Sequence, residues 1–118
     1  MTDVRAPAVA GTFYSSSADR LEKELSGMVN RDVPRKKALG IMVPHAGYTY
    51  SGKTAADVYS RIEIPDTAVI LSPNHTGAGT EFSVWHRGEW QTPLGAVPID
   101  ESLSDLLLET GEIFTADK

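Results

Sequence analysis

Three amphipathic stretches and two continuous apolar runs alternate along the 118 residues, and the difference between the two patterns predicts the elements. From Ala18 to about Val29, Leu21, Leu25, Met28 and Val29 recur at helical spacing, while Asp19, Glu22, Lys23 and Glu24 occupy the other faces. This predicts a helix whose apolar stripe packs inward, capped by one of Ser15, Ser16 or Ser17. "ALGIMVP" (38 to 44) and "TAVILS" (67 to 72) show no such spacing. Each is a short apolar run closed by a proline, Pro44 or Pro73, and each predicts a strand buried on both faces. Between them "KTAADVYSRI" (53 to 62) predicts a second helix with Ala55, Val58, Tyr59 and Ile62 inward. Strand, helix, strand in this order implies a right-handed βαβ unit and a parallel or mixed sheet with flanking helices, an α/β fold class. "EFSVWHRGEWQTPLGAVPID" (81 to 100) alternates and is aromatic, which predicts an irregular hairpin or an extended loop region. "ESLSDLLLETG" (101 to 111) predicts a closing helix with Asp100 as N-cap.

Composition narrows the function classes. Apolar residues make up 41% and charged residues 23%, the balance of a soluble globular protein, and the length suits one α/β domain. The net charge of −5, with the only basic cluster at Arg35, Lys36 and Lys37, argues against a nucleic-acid partner. No stretch approaches the roughly 20 apolar residues of a membrane span, and no signal-peptide pattern opens the chain. A cytoplasmic protein with no membrane partner is expected. Without cysteine, any metal must be held by imidazole and oxygen.

The chemistry concentrates after the two apolar runs. "HAGYTYSGKT" (45 to 54) satisfies a phosphate-binding P-loop pattern from Gly47 onward, between a predicted strand and a helix. Against that reading, Tyr48 and Tyr50 are bulky where backbone amides would have to wrap phosphates, and "TAVILS" leads into Pro73-Asn74-His75 instead of the acidic residue that magnesium needs. "VPHAGY" and "SPNHTG" instead share one form: an apolar run, a proline, a histidine, then a glycine. Ligands of open parallel sheets bind beyond the carboxyl ends of the strands, where both loops are expected, so His45 and His75 are candidate metal ligands. Two imidazoles suit iron, zinc or copper, and with a carboxylate they form the donor set of non-heme Fe(II) oxygenases. Asn74 is read as an Asx turn or an amide that orients a ligand, and His86 as surface.

"RAPAVAGTFY", "VPHAGYTYSG", "LSPNHTG" and "TPLGAVPID", in that order, resemble the Memo family, also called the B protein of the AmmeMemoRadiSam system. The family is similar in fold to class III extradiol dioxygenases, so the resemblance implies an extradiol-dioxygenase-like α/β domain of which this chain is the N-terminal part. It implies His45 and His75 as ligands of Fe(II), or of copper or zinc, with a cysteine or other ligand supplied by the longer family chain. Gly47, Tyr48, Tyr50, Ser51 and Gly52 would shape the pocket wall, and Tyr48 or Tyr50 would be the catalytic phenol for hydrogen bonding or proton transfer. The substrate would be a small molecule of unknown identity. The alternative is a non-catalytic module that binds a protein or peptide, for which Phe82, Trp85 and Trp90 are candidate anchors. As a fragment, the chain is expected to leave a sheet edge open and to associate through it as a homo-oligomer.

Overall fold

The computed structural model describes residues 3–111 and 113–117. The chain divides into two compact units. One comprises Met1–Ala6, Thr67–Gln91 and Ala96–Lys118, and the other Pro7–Asp66 with the hairpin tip Thr92–Gly95.

The second unit is built on two helices, α1 (Ala18–Met28) and α2 (Lys53–Ser60), packed against each other. α1 starts where the sequence pattern puts it, and Leu21 is its buried residue. Ser17 is the N-cap by backbone conformation, yet its side chain makes no cap bond, and Asp19 supplies negative charge to the first turn. α2 is preceded by a π-helical turn, Tyr48–Gly52. The buried face of α2 is the expected one only in part, Ile62 being buried as expected. Ala56 and Ser60 are buried, with Ile62 just beyond, whereas Tyr59 is exposed and Ala55 and Val58 are only half-buried. Ser60, fully buried, donates from Oγ to the Ala56 carbonyl at 2.6 Å and accepts the Asn30 N–H at 2.8 Å, so the end of α1 is tied to the end of α2. Lys36 adds a second tie, donating to the Arg61 carbonyl and accepting from the Glu63 N–H, both at 3.0 Å.

The first unit carries short strands and one helix. β1 (Val4–Arg5) pairs in parallel with β3 (Glu89–Thr92) in the register Val4 to Glu89 and Arg5 to Trp90, and β4 (Gly95–Pro98) completes a sheet ordered β1-β3-β4. Only Pro93 and Leu94 join β3 to β4, so this pair is the antiparallel hairpin that the sequence predicts and the sheet is mixed. β2 (Ser83–Val84) pairs in parallel with β5 (Thr115–Ala116). α3 (Glu101–Glu109) is capped as expected: Asp100 Oδ1 accepts the Leu103 N–H at 3.0 Å, and Oδ2 accepts from Thr67 Oγ1, also at 3.0 Å. Helices with a mixed sheet make the chain α/β.

The two apolar runs depart from expectation. Neither 38–44 nor 67–72 forms a strand, so the βαβ unit predicted from them is absent among the described residues. Met42 is 92% exposed and Leu71 88%, and Leu39, Val69 and Ile70 are exposed as well. A strand is defined by its ladder, and no described residue offers these runs a neighbouring strand. Burial is sparse as a result. Among the described residues the buried apolar side chains are Leu21, Ala56 and Ile62, all in the two-helix unit.

Candidate functional site

The loop after the first apolar run folds back on its own unit. Tyr48 N–H donates to the Phe13 carbonyl at 2.7 Å, and the Tyr50 and Ser51 amides donate to the Gly47 carbonyl at 2.9 and 3.1 Å. Ser51 is buried and donates from Oγ to the Ala46 carbonyl at 2.9 Å. The Ser51 bond gives that serine a structural role. A Cβ on Gly52 would lie 2.9 Å from Met28 Sδ and 3.2 Å from Tyr48 Cβ, whereas one on Gly47 would make only ordinary contact with the Phe13 backbone at 3.5 Å. The same bonds weigh against a phosphate cradle, because the Tyr48, Tyr50 and Ser51 amides that would bind the anion already have backbone acceptors.

The fold separates the two candidate phenols. Tyr48 lines an open hollow of about 680 Å³ in the two-helix unit, with Phe13, Tyr14, Arg20, Glu24 and Met28. Its ring lies 5.6 Å from that of Tyr14 at 41°. Burial pushes the Tyr48 hydroxyl above its ordinary pKa, and the neighbouring Tyr14, Tyr59 and Glu24 push it the same way. The phenol is therefore held protonated, as a hydrogen-bond donor. Tyr50, two residues on, is 88% exposed and is not part of the hollow's lining. The sequence pattern missed Phe13, Tyr14, Arg20 and Glu24. Arg20 and Glu24 share one face of α1 at a spacing of four, a signal that points equally to a solvated helix face.

His45 is exposed in the two-helix unit and His75 is exposed in the other. Their imidazoles are donors of the right kind for iron, zinc or copper. Among the described residues, however, no group of three or more His, Cys, Asp or Glu side chains is arranged to hold a metal ion. His45 and His75 by themselves are fewer donors than a metal centre requires.

Asn74 makes the Asx turn. Its Oδ1 accepts from Thr76 N, Thr76 Oγ1 and Gly77 N, and its Nδ2 donates to the Ala78 carbonyl at 2.6 Å. With oxygen and amide both engaged, it shapes the His75 loop. Trp85 and Trp90 are half-buried beneath Arg5, whose guanidinium lies 5.9 and 4.6 Å from the two ring centroids. Of the three aromatic residues considered as anchors, Phe82 alone is exposed. The indole Nε1 atoms of Trp85 and Trp90 are buried with no acceptor among the described residues. Among those residues no helix is long and apolar enough to cross a membrane.

The loops that carry Gly47, Tyr48, Ser51 and Gly52, and the hairpin beyond them, lie within a single match to the family of Memo-like proteins over residues 5–118. The chain belongs to the Memo family. It is 50% identical over 107 residues to a MEMO1 family protein of Aquifex aeolicus, a match covering 90% of this chain and 40% of that protein. MEMO1 family proteins of Sulfolobus acidocaldarius and Sulfurisphaera tokodaii are 40% and 41% identical over 98% of this chain and 46% of their own length. The chain thus spans less than half the length of these curated relatives.

Proposed function

We propose that this chain carries two imidazole ligands, His45 and His75, of a metal pocket whose remaining donors come from the longer Memo-family chain, and that the complete pocket serves a dioxygenase-type oxidoreductase. Fe(II) is the metal proposed, with copper or zinc as the other candidates for the same donors. The metal would act as a Lewis acid with open coordination positions. The observation that carries the reading is the hollow beside the loop that follows His45. There Tyr48 offers a protonated phenol next to the apolar and aromatic surface of Phe13, Tyr14 and Met28, with the Arg20 guanidinium on the rim. Such a lining suits a small aromatic molecule bearing a hydroxyl or carboxylate: the rings stack, the phenol donates and the arginine pairs with negative charge.

A non-catalytic peptide-binding role is the second reading, favoured by the exposed aromatic surface of Tyr50 and Phe13.

Anaerobic titration calorimetry with Fe(II), on these 118 residues joined to the unmatched portion of the Aquifex aeolicus relative and on the His45→Ala and His75→Ala variants of that chain, tests the metal reading. Binding that each substitution abolishes is the expected result. A folded parent that takes up no Fe(II), Zn(II) or Cu(II), or binding unaffected by either substitution, would remove both histidines from the ligand set. A binding module would keep its peptide affinity after chelation, whereas turnover would be lost.

A further inference from the structure

The basic segment after α1 takes no part in the site described above. At one end Asn30 donates its N–H to Ser60 Oγ at 2.8 Å and accepts the Asp32 N–H on Oδ1 at 2.9 Å; at the other, Lys36 is tied to Arg61 and Glu63. Arg31 and Arg35 therefore stand on a short segment fixed at both ends. With Glu22, Leu25, Val29 and the hairpin-tip residue Leu94 they line an open hollow of about 510 Å³ in the two-helix unit. This hollow shares no residue with the one around Tyr48, to which α1 turns Arg20, Glu24 and Met28. Leu94 is 50% exposed, on a turn closed by Thr92 Oγ1, which donates to the Gly95 carbonyl at 2.8 Å and accepts the Leu94 N–H at 3.2 Å. Both arginines are exposed, and among the described residues neither forms an ion pair.

We infer that this hollow is a docking site for an acidic peptide segment of a partner protein, whose carboxylates pair with Arg31 and Arg35 while an apolar side chain between them lies on Leu25, Val29 and Leu94. Charge selects this occupant. The protein carries −5 overall, yet its basic cluster Arg35, Lys36 and Lys37 adjoins the hollow, and the charged residues of the lining are two guanidiniums against the single carboxylate of Glu22. A guanidinium presents a planar fork that matches a carboxylate bidentately. Because the segment carrying both forks is already fixed, binding has little backbone left to order. The open shape selects a protein segment over a small molecule, since small ligands are held by pockets that bury most of their surface, whereas a protein partner brings its own cover. A nucleic acid or an anionic membrane would reach far beyond the hollow and meet the acidic remainder of the surface, whereas a peptide confined within a Debye length of about 8 Å interacts mainly with the two guanidiniums. The inference depends neither on the metal reading nor on the hollow around Tyr48.

The test uses these 118 residues joined to the unmatched portion of the Aquifex aeolicus relative. A fluorescent peptide in which glutamates flank a pair of leucines is titrated by anisotropy, beside one with lysines for the glutamates and one with serines for the leucines. The expected result is saturable binding of the first peptide alone, weakened about tenfold by Arg31→Ala or by Arg35→Ala. Leu94→Ser and added salt should each weaken it as well. Circular dichroism should not change, because all three side chains are exposed. Arg35→Lys should keep only part of the affinity, since an ammonium retains the charge and loses the fork. The inference is overturned by absence of binding to the folded chain, as when the added portion itself covers the hollow, or by equal binding of the lysine or serine peptide. Binding that the substitutions leave unchanged, or a preference for phosphatidylglycerol vesicles over the peptide, would overturn it too.

Discussion

The Asn30 N–H donates to Ser60 Oγ across a separation of 30 residues, and that hydroxyl has no exposed surface. One side chain thereby satisfies the first backbone amide after α1 and its C-cap while anchoring the last residue of α2. Ser60→Ala would leave the amide without its partner in a part-buried setting, at a cost of about 1 kcal/mol. The better helix propensity of alanine returns about 0.5 kcal/mol, too little to compensate. Thermal unfolding of the helical circular dichroism signal should shift down by roughly 4–8 °C per kcal/mol lost. An unchanged midpoint would mean that the bond contributes nothing net.

Gly88 stands where β1 meets the hairpin. Its φ is +80°, and a Cβ there would overlap the Asp3 carbonyl. Its amide donates to Glu101 Oε1 at 3.1 Å, and its carbonyl accepts from Ile99 N. Gly88→Ala adds about 1–2 kcal/mol of left-handed backbone strain to a clash that only backbone movement relieves. The expected outcome is loss of amide protection at Glu89, whose N–H bonds to Asp3, with α1 and α2 unchanged. Retained protection at Glu89 would show that the backbone yields without cost.

Tyr48 makes the fold sensitive to alkali. Its hydroxyl is raised above the ordinary value of 10.0, by burial first and then by Tyr14, Tyr59 and Glu24. A raised acid is more readily ionised in the unfolded chain. Its contribution to stability is therefore fully present below about pH 10 and is lost as pH rises through the higher folded value. Tyr48→Phe should flatten the fall in stability above pH 10. It should also remove the highest-titrating step from the tyrosinate absorbance of the native protein. A Tyr48→Phe profile that superimposes on the parent would place the alkaline transition elsewhere.

α1 and α3 were legible along the chain because their determinants are local. Leu21, Leu25 and Met28 repeat at the helical period, and Asp100 bonds an amide three residues away. The hairpin of β3 and β4 was legible for the same reason, since a two-residue connection brings its strands side by side, whereas the pairing of β3 with β1 was not. The buried face of α2 was legible only in part, because Ser60 is buried by its bond to the Asn30 N–H, 30 residues earlier in the chain.

Much of the candidate site was likewise outside the reach of sequence spacing. The His45 and His75 loops could be picked out as a repeated form, but the hollow around Tyr48 joins α1, the Phe13 turn and the π turn, which no spacing connects. By itself the sequence determined the family, the helices and the residue types at the loops, through periodicity, capping and motif. Tertiary structure alone decided which phenol is enclosed, that Ser60 of α2 is buried, and that the runs 38–44 and 67–72 stand unpaired. The physical reason is that an apolar run has a strand's propensity in its own residues, but a strand's hydrogen bonds belong to a second segment of chain.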